Sequence, residues 1–186
     1  YNELAKPSKP DAAPLSAKSI KNIHGVLHKA LKQAVLIGYL RTNPTEACIL
    51  PRIIRKEMHP LEEDQVAVFL REVQGHPHEY LYKIALFTGL REGEVLGLGW
   101  EHIDFQAGTL TVKRQLRREQ KKGGEYYFSP PKNNKSRCLT LAPSVIQLFR
   151  LQKLEQNSMR MEAGDAWEEH GLIFTNQTGG YLSYRT

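Results

Sequence analysis

Residues 88–98 read Thr-Gly-Leu-Arg-Glu-Gly-Glu-Val-Leu-Gly-Leu, and they place an arginine at a glycine-made break between two apolar segments. The run before them, Tyr80 to Phe87, is apolar almost all round, which predicts a buried helix. Gly89 suits the left-handed residue that ends such a helix. Glu92 and Glu94 suit the first turn of a second, short helix, where negative charge is favoured. Arg91 is then held on a rigid turn, and Glu94, three residues on, can reach back to its guanidinium. A forked, permanently charged donor on such a mount fits bidentate binding of a phosphate. The same residues fit equally well a structural ion pair beside the core.

A second segment bears on that choice. Residues 129–141, Ser-Pro-Pro-Lys-Asn-Asn-Lys-Ser-Arg-Cys-Leu-Thr-Leu, read as a hairpin. Lys132 ends one strand, Asn133-Asn134 makes a turn that tolerates positive φ, and Cys138 to Leu141 runs back as the partner. A lysine at a hairpin tip is a compact, mobile proton donor, although most turn lysines are merely solvated.

Together the two segments resemble the catalytic domain of the tyrosine recombinases, the phage-type integrases, and specifically integrases of mobile elements in Gram-positive bacteria. Thr88 to Leu98 matches the family's T-G-L-R-x-x-E-x-x-x-L box, and Pro131 to Leu141 its P-K-N-x-K-S-R hairpin. Leu172 to Gly180 resembles the family's later strand and turn, and Ser16 to Pro51, with its Asn-Pro, resembles the end of a core-binding domain. The resemblance implies that Arg91 is the first of two arginines on the scissile phosphate and Lys132 the general acid, with Glu94 in support of Arg91. Lys135 and Arg137 are implied contacts to flanking phosphates. The family's H-x-L-R-H box, its later His or Trp and its tyrosine nucleophile are expected beyond Thr186. Tyr181 and Tyr184 come too early in the family order and read as strand or packing residues.

Composition and periodicity supply the frame. A net charge of +6 suits a polyanionic partner, and no apolar run approaches the ~20 residues of a membrane span. Cys48 and Cys138 lie in different segments without metal spacing, and point to a reduced, cytoplasmic protein. Tyr1 to Pro14 reads as a flexible lead. Ser16 to Ile37 is the clearest helix, with Ile20, Ile23, Leu27, Leu31 and Ala34 on one face and Lys18, Lys21, His28, Lys29 and Lys32 opposite. That basic stripe is an ordinary solvated face unless it belongs to a core-binding domain, where Lys18, Lys21 and Lys29 become phosphate contacts. His24 and His28 have no acidic or cysteine companion, so no metal site is expected, and no cofactor.

Asn43-Pro44 opens a short helix through Cys48, and residues 53–60 read as a linker. Helical periodicity resumes over Leu61 to Val73. Thr109 to Leu116 reads as one strand, with a turn at Lys121 to Gly124 and a return over Glu125 to Phe128. The basic run Lys113 to Lys122 is a solvated hairpin or lies along a DNA backbone. Pro143 starts a helix, Met159 to Trp167 is a further helical piece, and Leu172 to Phe174 a short buried strand.

The expected class is mainly α with a small three-stranded antiparallel sheet, the tyrosine-recombinase catalytic fold. It is preceded by part of a helical core-binding domain (residues 1–52), a linker (53–60) and then the first part of the catalytic domain (61–186). The implied function is site-specific DNA recombination through a 3′-phosphotyrosyl intermediate at att-type sites on double-stranded DNA. The parent is expected to be tetrameric on DNA with accessory factors and without a membrane, and this piece alone to bind DNA without cleaving it. Alternatives are a non-catalytic DNA-binding module, a type IB topoisomerase, or a helical protein-interaction domain, which leaves both motifs unexplained.

Overall fold

The computed structural model describes residues 1–6, 13–54, 57–121 and 123–183. Tyr184, Lys122 and part of the 53–60 segment, all named above, lie outside the described residues. The chain divides into two compact units, Tyr1–Pro60 and Leu61–Thr186.

The first unit is built on α2 (Ala17–Leu36), capped at Ser16, whose side chain accepts from the Ser19 N–H at 3.1 Å. The expected flexible lead begins instead with a helical turn, α1 (Asn2–Ala5). The Tyr1 hydroxyl meets His24 Nδ1 at 3.2 Å, and the Leu15 N–H donates to the Leu4 carbonyl at 2.8 Å. Asn43 caps a 3₁₀ turn (Pro44–Ala47) and ties it to α2. Its Oδ1 accepts from the Thr45 N–H and hydroxyl, its Nδ2 donates to the His28 carbonyl, and His28 Nδ1 lies 2.9 Å from the Thr45 hydroxyl.

These bonds turn the inward face of α2 away from the one expected. His28 belongs to the packed face beside Ile20 and His24, not to the basic one, while Ile23, Val26 and Leu27 are exposed. The reason is polar: a buried Asn43 and Thr45 need partners, and His28 supplies them. Lys18, Lys29 and Lys32 are exposed and Lys21 is half-buried.

The second unit opens with α3 (Glu63–Glu72), α4 (Glu79–Thr88) and α5 (Glu92–Leu96). A 3₁₀ turn (Trp100–His102) leads into β1 (Ile103–Asp104), β2 (Thr109–Val112), β3 (Gln115–Arg118) and β4 (Tyr126–Ser129). A second 3₁₀ turn (Lys132–Asn134), β5 (Arg137–Thr140) and α6 (Pro143–Ala163) complete it, the last being one continuous helix where two pieces were expected. Residues 164–166 close it with a 3₁₀ turn.

An antiparallel sheet of three strands runs β1-β2-β5, with Leu110 opposite Leu139 and Val112 opposite Arg137. β3 and β4 form a separate two-stranded ribbon. The strand expected over Thr109 to Leu116 is therefore broken at Lys113-Arg114. Arg114 turns inward there: its Nε donates to the Gly97 carbonyl at 3.0 Å, its Nη2 lies 3.1 Å from Glu101, and its guanidinium covers the Phe128 ring at 4.2 Å.

Ile84, Leu98, Leu110, Val112, Phe149 and Ile173 form the centre of the core, each 1% exposed or less. Leu172 pairs with Gly99, so the buried segment expected at 172–174 is an isolated bridge rather than a strand. Gln156 on α6 fastens it, accepting from Trp100 Nε1 at 2.8 Å and donating to the Leu172 carbonyl at 2.9 Å. Among the described residues no helix is long and apolar enough to cross a membrane.

Candidate phosphate-binding site

Gly89 ends α4 at φ 62°, and its N–H returns to the Ala85 carbonyl. The chain then enters α5 through Arg91, whose extended backbone (φ −70°, ψ 151°) turns its side chain out at the start of that helix. Glu94 sits one turn along and is fully buried. An unpaired carboxylate there would cost several kcal/mol, and four hydrogen bonds prevent it. The Arg91 N–H donates to Oε2 at 2.9 Å and Arg91 Nη1 to Oε1 at 3.1 Å. Arg137 supplies the other two, Nη1 to Oε1 at 2.8 Å and Nη2 to Oε2 at 2.7 Å, a bidentate pair.

The Arg137 fork, ahead of the Arg91 contacts, holds the Glu94 carboxyl well below its usual range, at about 2, against the opposing effect of burial. Glu94 in turn raises the Arg137 pKa. Two guanidiniums and one carboxylate leave one net positive charge. It faces outward through Arg91, whose side chain is 62% exposed against 36% for Arg137.

Two glycines let the β3–β4 ribbon lie against α5. A Cβ on Gly97 would stand 2.7 Å from the Leu116 nitrogen, and one on Gly93 2.9 Å from the Leu116 carbonyl oxygen. Between α5 and the ribbon lies an open cleft of about 960 Å³ lined by Glu92, Arg117, Arg118, Lys121 and Tyr127, among others. The basic run is only partly free to face it. Arg118 donates to the Gly124 carbonyl and covers Tyr126, Lys121 pairs with Glu119, and Lys113 and Arg117 are exposed.

Lys132 does not sit at a hairpin tip. Ser129 ends a strand of the ribbon and Arg137 begins a strand of the other sheet, so residues 130–136 link two sheets. Asn134 has the positive φ, 52°, that the turn was expected to need. The linker is tied at both ends. The Pro130 carbonyl accepts from Gln115 Nε2 at 2.6 Å, and Arg137 is locked on Glu94. Lys132 and Lys135 are both exposed between these ties, and Lys132 is within roughly 18 Å of Arg137 even along a fully extended chain.

The structure thus brings Arg91, Glu94 and Arg137 together and mounts Lys132 and Lys135 on the adjoining linker. Lys18, Lys21 and Lys29 belong to the first unit. The commitment of Arg137 to Glu94 was not visible in the sequence. Among the described residues no group of three or more His, Cys, Asp or Glu is placed to hold a metal ion.

The chain is similar to several known proteins. A tyrosine recombinase XerC-like protein of Caldanaerobacter subterraneus subsp. tengcongensis is 28% identical over 98% of this chain and 49% of its own length. An integrase of Streptomyces ambofaciens is 29% identical over 90% of this chain and 44% of its own. The chain spans about half the length of the curated relatives it matches. The Tn1549 transposon integrase, solved in complex with transposon right end DNA, superposes with a TM-score of 0.75 at 25% identity, over 91% of this chain and 54% of that one. A lambda integrase dimer bound to a core site shares the fold, with a TM-score of 0.55 at 20% identity, over 90% of this chain and 41% of that one. The phage integrase family pattern matches residues 59–186, more than half of the sequence. On these grounds the chain belongs to the phage integrase family, the tyrosine recombinases.

Proposed function

We propose that this chain carries the DNA-gripping and phosphate-neutralising part of a site-specific recombinase that exchanges strands at att-type sites on double-stranded DNA. The observation that carries the reading is the exposed Arg91 guanidinium, mounted on a helix start and braced by the buried, ionised Glu94. In the complete enzyme a tyrosine oxygen attacks the scissile phosphorus, a 3′-phosphotyrosyl bond forms and the bond to the 5′-oxygen breaks. A 5′-hydroxyl of another strand later attacks that phosphorus, forming the new phosphodiester bond while the bond to the tyrosine oxygen breaks and the tyrosine is released.

Arg91 neutralises the non-bridging oxygens as their charge builds, a preorganised effect commonly worth about 3–4 kcal/mol. Lys132 gives its proton to the departing 5′-oxygen, which typically contributes about 10²–10⁴-fold. Lys135 holds a flanking phosphate. Residues 1–52 serve as the end of a core-binding domain, with Lys18, Lys21 and Lys29 on the DNA backbone, 53–60 as a linker and 61–186 as the first part of the catalytic domain. The parent acts in the cytoplasm as a tetramer on DNA with accessory factors, and the chain alone binds DNA without cutting it.

The test is a nicked suicide substrate incubated with the full-length parent in EDTA. A covalent protein–DNA adduct is expected, and cleavage that requires magnesium overturns the reading.

A further inference from the structure

Arg137 resembles a flanking-phosphate contact in sequence, yet both of its terminal nitrogens point at Glu94. The guanidinium fork matches a carboxylate better than any other side chain does, so whichever arginine takes Glu94 end-on spends its charge there. Two arginines compete for that place. Arg91 reaches Glu94 with one guanidinium nitrogen and its backbone N–H, and among the described residues its guanidinium makes only that one bond. Arg137 comes from the first position of β5, paired in register with the fully buried Val112, and takes both oxygens.

We propose that Arg137 is a positioning residue for phosphate capture. By occupying both oxygens of Glu94 it cancels that carboxylate's charge, and it leaves Arg91 its own charge and most of its donors for a phosphate. Without Arg137 the nearest fork is Arg91 itself, which folds down onto Glu94 and withdraws from the surface. Lysine in place of Arg137 supplies charge but not the two-pronged grip. This inference rests on the reading of Arg91 as the phosphate ligand.

The experiment is a double-mutant cycle on the 186-residue chain, binding a 20-base-pair duplex at low salt, with melting temperatures recorded for every variant. R137Q is expected to weaken binding about 10-fold, the effect of one lost charge-assisted phosphate contact (roughly 1.4 kcal/mol). R137K should fall between the two. In an E94Q background, where no buried charge remains to cancel, adding R137Q is expected to cost less than about 2-fold. Equal losses in both backgrounds mean that Arg137 touches phosphate directly, and the proposal fails.

The Arg91 side-chain Nε–H resonance, followed by NMR without DNA, separates this from the functional reading. R137Q should shift it and slow its solvent exchange as Arg91 moves onto Glu94. An unmoved resonance overturns the proposal whatever DNA binding does. A shifted resonance in a chain whose DNA affinity ignores R91A supports the positioning while sinking the recombinase role of Arg91.

Discussion

Burial of an ionised Glu94 makes the second unit sensitive to acid. The carboxyl titrates at about 2 when folded, against an ordinary value of 4.5. A depressed folded pKa contributes stability that is fully present above the unfolded pKa and lost as pH falls toward the folded one. The gap between the two values corresponds to roughly 3 kcal/mol of stability at neutral pH, of which about 2 kcal/mol has gone by pH 3. E94Q removes the titrating group and keeps the shape.

The assay is urea unfolding of the wild type and E94Q between pH 7 and 2.5. It can be followed by the fluorescence of Trp100 and Trp167, both in the second unit. Other acid-sensitive groups, such as Glu79 with its pKa lowered by Lys83, are common to both proteins and cancel in the difference. The wild type should be the more stable at pH 7, and its advantage should shrink by about 2 kcal/mol between pH 6 and pH 3. Parallel curves would refute the claim that Glu94 is held as a buried anion.

Two further outcomes follow from the packing and the charge. G97A should destabilise the second unit by about 1–3 kcal/mol, because its Cβ meets the Leu116 backbone 2.7 Å away and neither partner is a flexible side-chain end; an unchanged melting temperature contradicts that close approach. The isolated chain should bind duplex DNA through phosphates, with affinity falling steeply between 50 and 200 mM salt, and salt-insensitive binding in a filter or anisotropy assay counts against a backbone-contacting role.

What the sequence made legible was local. The Gly89 cap, the Arg91–Glu94 turn, the Ser16 cap of α2 and the Asn43 cap were readable because each rests on residues two to four positions apart. What escaped was set at long range. Arg137 meets Glu94 across 43 residues, and nothing in the periodicity of either segment reveals the pair. His28 left the basic face because Thr45 and Asn43, 17 and 15 residues on, need its ring and carbonyl. The break at Lys113-Arg114 depends on Gly97 and Glu101, which alternation within the strand cannot report. Gln156 did leave a signal: Val145, Phe149, Gln152 and Gln156 are spaced four, three and four apart, so both glutamines continue the buried stripe of α6.

In the proposed mechanism Arg91 and Lys132 divide the chemistry at one phosphate between charge neutralisation and proton donation. The most direct measurement is cleavage by the R91A and K132A variants of the full-length parent on two substrates, ordinary DNA and DNA whose 5′-bridging oxygen at the scissile position is sulfur. A thiolate leaves without being protonated, so a missing general acid no longer matters, whereas a missing guanidinium still does. Both variants should fail on ordinary DNA, and only K132A should recover on the sulfur substrate. Equal recovery of both variants, or recovery of neither, contradicts the assignment of Lys132 as the acid.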